Sequence, residues 1–175
     1  KDLSGWYFTI IPTDIDKDGD IDYLAGNIGG NTKFQPNKDK PLHIYAKDFD
    51  QNGSLDVILS KASKTGLLLP VRGKQCSSEQ VPMLNTKFKS YGAFANASLP
   101  DIYGDKNLKE ATHYIATEFS TLLLINNGSG DFEVRKLPVQ AQFGPTTDVV
   151  VDDFNNDGIM DIFGVGSIYE AEVET

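Results

Sequence analysis

Three nine-residue stretches of this chain carry oxygen-bearing side chains at one repeated spacing. They read Asp14-Ile15-Asp16-Lys17-Asp18-Gly19-Asp20-Ile21-Asp22, Asp48-Phe49-Asp50-Gln51-Asn52-Gly53-Ser54-Leu55-Asp56 and Asp153-Phe154-Asn155-Asn156-Asp157-Gly158-Ile159-Met160-Asp161. Each has Asp or Asn at positions 1, 3 and 5, Gly at position 6 and Asp at position 9. On a tight turn, alternate side chains face a common centre, and glycine at position 6 supplies the backbone freedom the turn needs. The carbonyl of position 7 (Asp20, Ser54, Ile159) can face the same centre, which leaves that side chain free to vary. A donor set made only of oxygen suits a hard cation, and the number of donors favours Ca²⁺ over octahedral Mg²⁺. The chemistry expected here is cation binding, at up to three Ca²⁺ sites.

The charge distribution points the same way. With Asp152, these stretches hold 12 of the 25 acidic residues but only one basic residue, Lys17. Like charges packed this closely are unfavourable unless something neutralises them. An EF-hand would need a bidentate Glu at position 12 and flanking helices. Position 12 is Ala25, Leu59 and Gly164 instead.

The segments that must position these loops read as strands. Phe8–Ile11, Leu42–Ala46 and Asp148–Val151 precede the loops, and Ile21–Ala25, Leu55–Leu59 and Met160–Val165 follow them. All are short, rich in β-branched and aromatic residues, and bounded by turn formers, so each loop is expected inside a β-hairpin. A further hairpin is expected over Leu122–Val134, around an Asn/Gly/Ser turn. Residues 74–112 interrupt this pattern. Ser77-Ser78-Glu79-Gln80 reads as a helix start, Ser98-Leu99-Pro100-Asp101 as a capping box with Pro in the first turn, and Asp105 as the cap of a helix through Glu110. This nearly neutral insertion is expected to form a binding surface or a packing lid, with Tyr91, Phe94 and Tyr103 as candidate contacts.

Composition excludes several classes. A net charge of −9 disfavours nucleic acid and anionic lipid, whose recognition needs clustered Lys and Arg. No apolar run approaches the roughly 20 residues of a membrane-spanning helix, so no membrane insertion is expected. Cys76 is the only cysteine, which rules out an internal disulfide and a cysteine-based zinc site, and an idle thiol is expected. His43 and His113, both remote in sequence from Cys76, read as ordinary structural residues. Trp6 reads as core or interface. Asn52, Asn96 and Asn127 begin Asn-x-Ser acceptor sequences that carry little weight. The chain starts at Lys1 without a basic and apolar leader, so a signal peptide was either absent or trimmed.

At these residues the chain resembles the FG-GAP/VCBS repeat family, calcium-loop β-propellers related to the integrin α-chain head. The three Asp-rich loops and the Asn126–Phe132 turn carry the resemblance. Gly26–Phe34 and Phe143–Phe154 look like bacterial VCBS/ASPIC-type surface proteins in particular. The resemblance implies side-chain ligands at Asp14, Asp16, Asp18 and Asp22, at Asp48, Asp50, Asn52 and Asp56, and at Asp153, Asn155, Asp157 and Asp161. Asp20, Ser54 and Ile159 would contribute main-chain carbonyls. Three bound Ca²⁺ would bring the formal charge from −9 to −3. The implied fold is all-β: a partial β-propeller of antiparallel hairpin blades, spanning residues 1–175 as one β-repeat domain with a helical insertion at about 74–112. Propellers close with four to eight blades, and this length supplies about three, so a piece of a larger propeller is expected. Exposed blade edges would then invite self-association.

The expected function is a non-catalytic, calcium-binding β-propeller-type repeat module for binding, such as cell adhesion, or scaffolding. Its ligand would be a protein or polysaccharide, at the cell surface, in the periplasm or outside the cell, where Ca²⁺ is near millimolar. The alternative is a fragment of a calcium-dependent polysaccharide lyase or hydrolase; a hydrolase would need paired carboxylates, and a lyase Tyr, His and Arg or Lys near a sugar subsite. Against it, the acidic clusters are consumed by the loops, and Glu118, Glu133, Glu170, Glu172 and Glu174 show no pairing logic. Only Arg72 and Arg135 are available as arginines for a sugar subsite.

Overall fold

The computed structural model describes residues 3–168; Glu170, Glu172 and Glu174 lie outside them. Mostly β-strands in antiparallel sheets with a few short helices, it contains no closed barrel or propeller among the described residues. In chain order the strands are β1 (Tyr7–Thr13), β2 (Asp22–Asn27), β3 (Leu42–Lys47), β4 (Asp56–Ala62), β5 (Leu68–Pro70), β6 (Thr112–Ala116), β7 (Leu122–Asn126), β8 (Phe132–Lys136), β9 (Asp148–Asp152) and β10 (Asp161–Val165). The helices α1 (Lys74–Gln80), α2 (Leu84–Lys87), α3 (Tyr91–Ala95), α4 (Leu99–Tyr103) and α5 (Asp105–Glu110) all lie between β5 and β6. The chain divides into a central unit, Pro36–Thr117, and a flanking unit made of Leu3–Gln35 and the described residues from Glu118 on.

Hairpins β1–β2, β3–β4 and β9–β10 each enclose one Asp-rich loop. In the flanking unit the sheet order is β1-β2-β7-β8, so β2 pairs with a strand almost a hundred residues later, Tyr23 opposite Leu124 and Ala25 opposite Leu122. The central strand β2 is buried almost throughout, while β8 is mostly exposed, as edge strands are. Asn27 closes this arrangement. Fully buried, it accepts the Trp6 and Ile28 amides on its side-chain oxygen (3.1 and 2.8 Å) and donates to the Glu118 carbonyl (2.9 Å). Every polar atom of its side chain is thereby matched in a dry site, where an unmatched one would cost about 1–3 kcal/mol. Trp6 meets Phe119 edge-on at 6.5 Å and stays 39% exposed.

In the central unit the sheet order is β5-β4-β3-β6. Its core joins Tyr45, Phe49 and Ile58 to Val81, Leu84, Phe88, Phe94, Ala97, Leu99, Ile102 and Tyr103. The inserted helices therefore supply most of the apolar packing of this unit, at about 1.5–3 kcal/mol for each fully buried Leu or Val. Two of the aromatics singled out as candidate contacts, Phe94 and Tyr103, are core residues; only Tyr91 is exposed, with Lys74 over its ring. The capping box forms: the Ser98 hydroxyl accepts the Asp101 amide and the Asp101 carboxylate accepts the Ser98 amide. The other two helix starts differ from the sequence reading. α1 begins at Lys74, and Ser77 lies buried inside it, its hydroxyl donating to the Arg72 carbonyl instead of capping. Gly104, at φ 87°, precedes α5, which places Asp105 within the first turn, where its charge suits the helix dipole.

Candidate metal centre

Each Asp-rich loop is closed by the same local hydrogen bonds. The position-6 amide donates to the position-1 carboxylate: Gly19 to Asp14 (3.1 Å), Gly53 to Asp48 (2.8 Å), Gly158 to Asp153 (2.8 Å). The position-2 amide donates to the position-9 carboxylate: Ile15 to Asp22 (2.9 Å), Phe49 to Asp56 (2.9 Å), Phe154 to Asp161 (3.2 Å). The amides of Asp20, Ser54 and Ile159 donate to the position-5 side chains of Asp18, Asn52 and Asp157 at 2.7–2.8 Å. Position 6 has φ between 89° and 95° in all three loops, and a Cβ there would meet no atom within 4 Å. Glycine is required by the dihedral alone. Position 4 is also left-handed, at Lys17 (φ 62°), Gln51 (60°) and Asn156 (60°), a conformation that Asn tolerates but that Lys and Gln do not announce. Lys and Gln hold that conformation at about 1–2 kcal/mol each.

Within this shared frame the carboxylates converge to different extents. One oxygen from each of Asp14, Asp16 and Asp18 lies within 4.8 Å of the others, and so does one from each of Asp48, Asp50 and Asp56. Among the described residues loop three closes no such triad; there Asn155 turns its amide nitrogen onto Asp157 (3.0 Å). The first-position aspartates differ as well. Asp48 and Asp153 take a second amide, from Asn52 and Asp157, on their other oxygen (3.0 Å each). Asp14 does not: its Oδ1 is buried with no hydrogen-bond partner. An orphaned carboxylate oxygen beside two further carboxylates fits a cation, which would satisfy it and offset the repulsion.

The electrostatics follow these contacts. Partial desolvation, then repulsion from Asp18, Asp22 and Asp14, pushes the Asp16 carboxyl above its ordinary range. The Gly53 amide, with those of Asn52 and Gln51, holds Asp48 below it. Burial raises Asp56, opposed by the Phe49 amide. Asp22 is fully buried and also accepts the Asn126 amide of β7 (2.8 Å), so loop one is anchored into its sheet by a long-range bond. Lys17, the one cation among these stretches, donates from Nζ to the Gly158 carbonyl of loop three (2.6 Å), placing these two loops side by side within the flanking unit. Loop two belongs to the central unit.

Elsewhere Glu118 pairs with Lys136 (2.9 Å) and Glu133 with Arg135 (2.7 Å). His43 and His113, each read from the sequence as an ordinary structural residue, meet across β3 and β6, with ring nitrogens 3.0 Å apart. Nothing short of the β3–β6 pairing could have revealed it. Cys76 is partly exposed and unbonded. No helix of the described residues is long and apolar enough to cross a membrane. A scan against protein-family models matches none, and comparisons with curated proteins and with solved structures find no match.

Proposed function

We propose that this chain is a non-catalytic, calcium-stabilised β-repeat module of the FG-GAP/VCBS kind, acting in binding or scaffolding at a cell surface or outside the cell. The observation that carries this reading is the convergence of two carboxylate triads inside hairpin loops with one hydrogen-bond frame, one triad holding a buried, unpartnered oxygen. In loop one Asp14, Asp16, Asp18 and Asp22 would hold the ion with the Asp20 carbonyl; in loop two, Asp48, Asp50, Asn52 and Asp56 with the Ser54 carbonyl. Loop three would use Asp153, Asn155, Asp157, Asp161 and the Ile159 carbonyl, and bind most weakly. Ca²⁺ supplies charge neutralisation and a fixed hub for the hairpin. The ligand is a protein or polysaccharide.

The test is thermal unfolding in EDTA, in 10 mM Ca²⁺ and in 10 mM Mg²⁺. Extracellular calcium modules bind with Kd on the order of 10⁻⁴–10⁻³ M, so each filled site adds about 1.4–2.7 kcal/mol at that concentration. Three sites predict a rise in Tm of roughly ten degrees or more, with little response to Mg²⁺. Equal Tm in EDTA and Ca²⁺, with no retained metal by elemental analysis, overturns the reading.

A further inference from the structure

The pairing of β3 with β6 brings two histidines, 70 residues apart in sequence, onto one face of the central sheet. His113 lies directly opposite Tyr45, and His43, two residues before Tyr45, is opposite Ile115. The His113 ring stacks on Tyr45, centroids 4.3 Å apart and planes within 3°. The two imidazoles are nearly coplanar (7°), with centroids 5.3 Å apart and His43 Nδ1 3.0 Å from His113 Nε2. That centroid separation is close to the nitrogen distance plus the two ring radii, so the rings meet end to end, not face to face. Such a contact is an N–H···N hydrogen bond, and it needs one donor and one acceptor. At least one ring must be neutral.

β6 has little else on its side chains to hold it. It is an edge strand, paired only with β3, and Thr112, His113, Tyr114 and Ile115 are exposed while Ala116 alone is buried. We propose that the His43–His113 pair is an acid-sensitive clasp: it holds β6 on the sheet at neutral pH and releases it when both rings are protonated, baring the hydrogen-bonding edge of β3. The second proton would set two N–H donors and two positive charges against each other at the present contact.

The surroundings offer that second charge no compensation. On β3 the same face carries Tyr45 and then Lys47, which is held by Glu110 of α5 (2.6 Å), itself also approached by Lys106. On β4 the residue opposite His43 is uncharged Ser60, and Asp56 lies further along, opposite Lys47 and bound to the Phe49 amide. Beyond Ser60, β5 presents Pro70, and the helical side brings Arg72 and Tyr103 near Ile58. β6 bears no charged residue other than His113. Burial and then repulsion by His113 accordingly hold His43 below the ordinary imidazole range. Its neutral form is favoured by folding, so the contribution is complete above the ordinary imidazole pKa and is lost as pH falls towards the lowered folded value.

The inference is independent of the calcium reading, and its test is run on the full chain in both EDTA and Ca²⁺. Amide exchange at pH 7.5 and 5.0, expressed as protection factors, is read for β6 and, as an internal reference, for β4. Protection of β6 is expected to fall severalfold, on the order of tenfold, at pH 5.0 while β4 holds, because the neutral pair that folding favours is lost as pH falls. In His113→Phe, which keeps a ring on Tyr45 but cannot ionise, and in His43→Gln, the selective fall should vanish. If either variant does not fold, the other decides. Equal β6 protection at the two pH values, an unchanged fall in the variants, or loss of β4 in step with β6 overturns the clasp.

Discussion

Loops one and two share a backbone frame but treat their charges in opposite ways. Loop two, in the central unit, has Asn52 and Ser54 where loop one has Asp18 and Asp20, and both oxygens of Asp48 are taken by backbone amides. Loop one, in the flanking unit, gathers five aspartates and leaves the Asp14 Oδ1 unmatched. Backbone amides meet both oxygens of Asp48 in loop two, whereas one oxygen of Asp14 in loop one is left without a partner. The same nine-residue pattern can therefore leave its carboxylates satisfied to different extents, and the difference in acidic charge lies in two side chains, with one missing amide contact beside it.

The largest test of this contrast lies at position 9. Asp22→Ala orphans the Ile15 and Asn126 amides, whereas Asp56→Ala orphans only that of Phe49. At up to about 1–3 kcal/mol for each abandoned donor, the two part-buried amides left by Asp22→Ala should together cost more in denaturant unfolding in EDTA than the one buried amide left by Asp56→Ala. Equal losses would break the claim that loop one is anchored by its sheet neighbour.

A smaller effect should follow exchange of the position-5 residues. Asp18→Asn relieves repulsion in loop one, so the calcium-free protein should gain stability while calcium affinity at that loop falls on the order of tenfold, since charge count sets affinity in such loops. Asn52→Asp should do the reverse at loop two. Calorimetric titration of both variants reads the pair, and shifts in the same direction would contradict the comparison.

The smallest effect is the pH response. Asp16, raised, binds its proton more readily in the folded state; it favours the calcium-free fold at acid pH and opposes it above its own pKa. Asp48, lowered, contributes above the unfolded-state pKa, and that contribution disappears as pH falls through its folded value. Carboxyl NMR titration in EDTA should place Asp16 above Asp48, and Ca²⁺ should pull Asp16 down by displacing its proton. The reverse order would remove the electrostatic basis of the contrast.

What could be read in advance was local. The three hairpins, the glycine at position 6 and the Ser98–Asp101 capping box all depend on contacts within about nine residues, where spacing and residue type dictate geometry. The left-handed residue at position 4 escaped because Lys17 and Gln51 are not types that favour it; the closed loop imposes it. Ser77 and Ser78 misled because serine favours helix starts, yet burial against the rest of the central unit placed them inside α1.

The residues by themselves determined that the three loops concentrate acidic, oxygen-bearing side chains, and that the strands around them come as hairpins. Only the tertiary structure decided which hairpins join: β2 with β7 around a fully matched Asn27, β3 with β6 around two histidines, and the helical insertion as core of the central unit. The physical reason is that strand pairing across tens of residues is chosen by the burial and hydrogen-bond completion of the whole unit. No short stretch of sequence contains both partners.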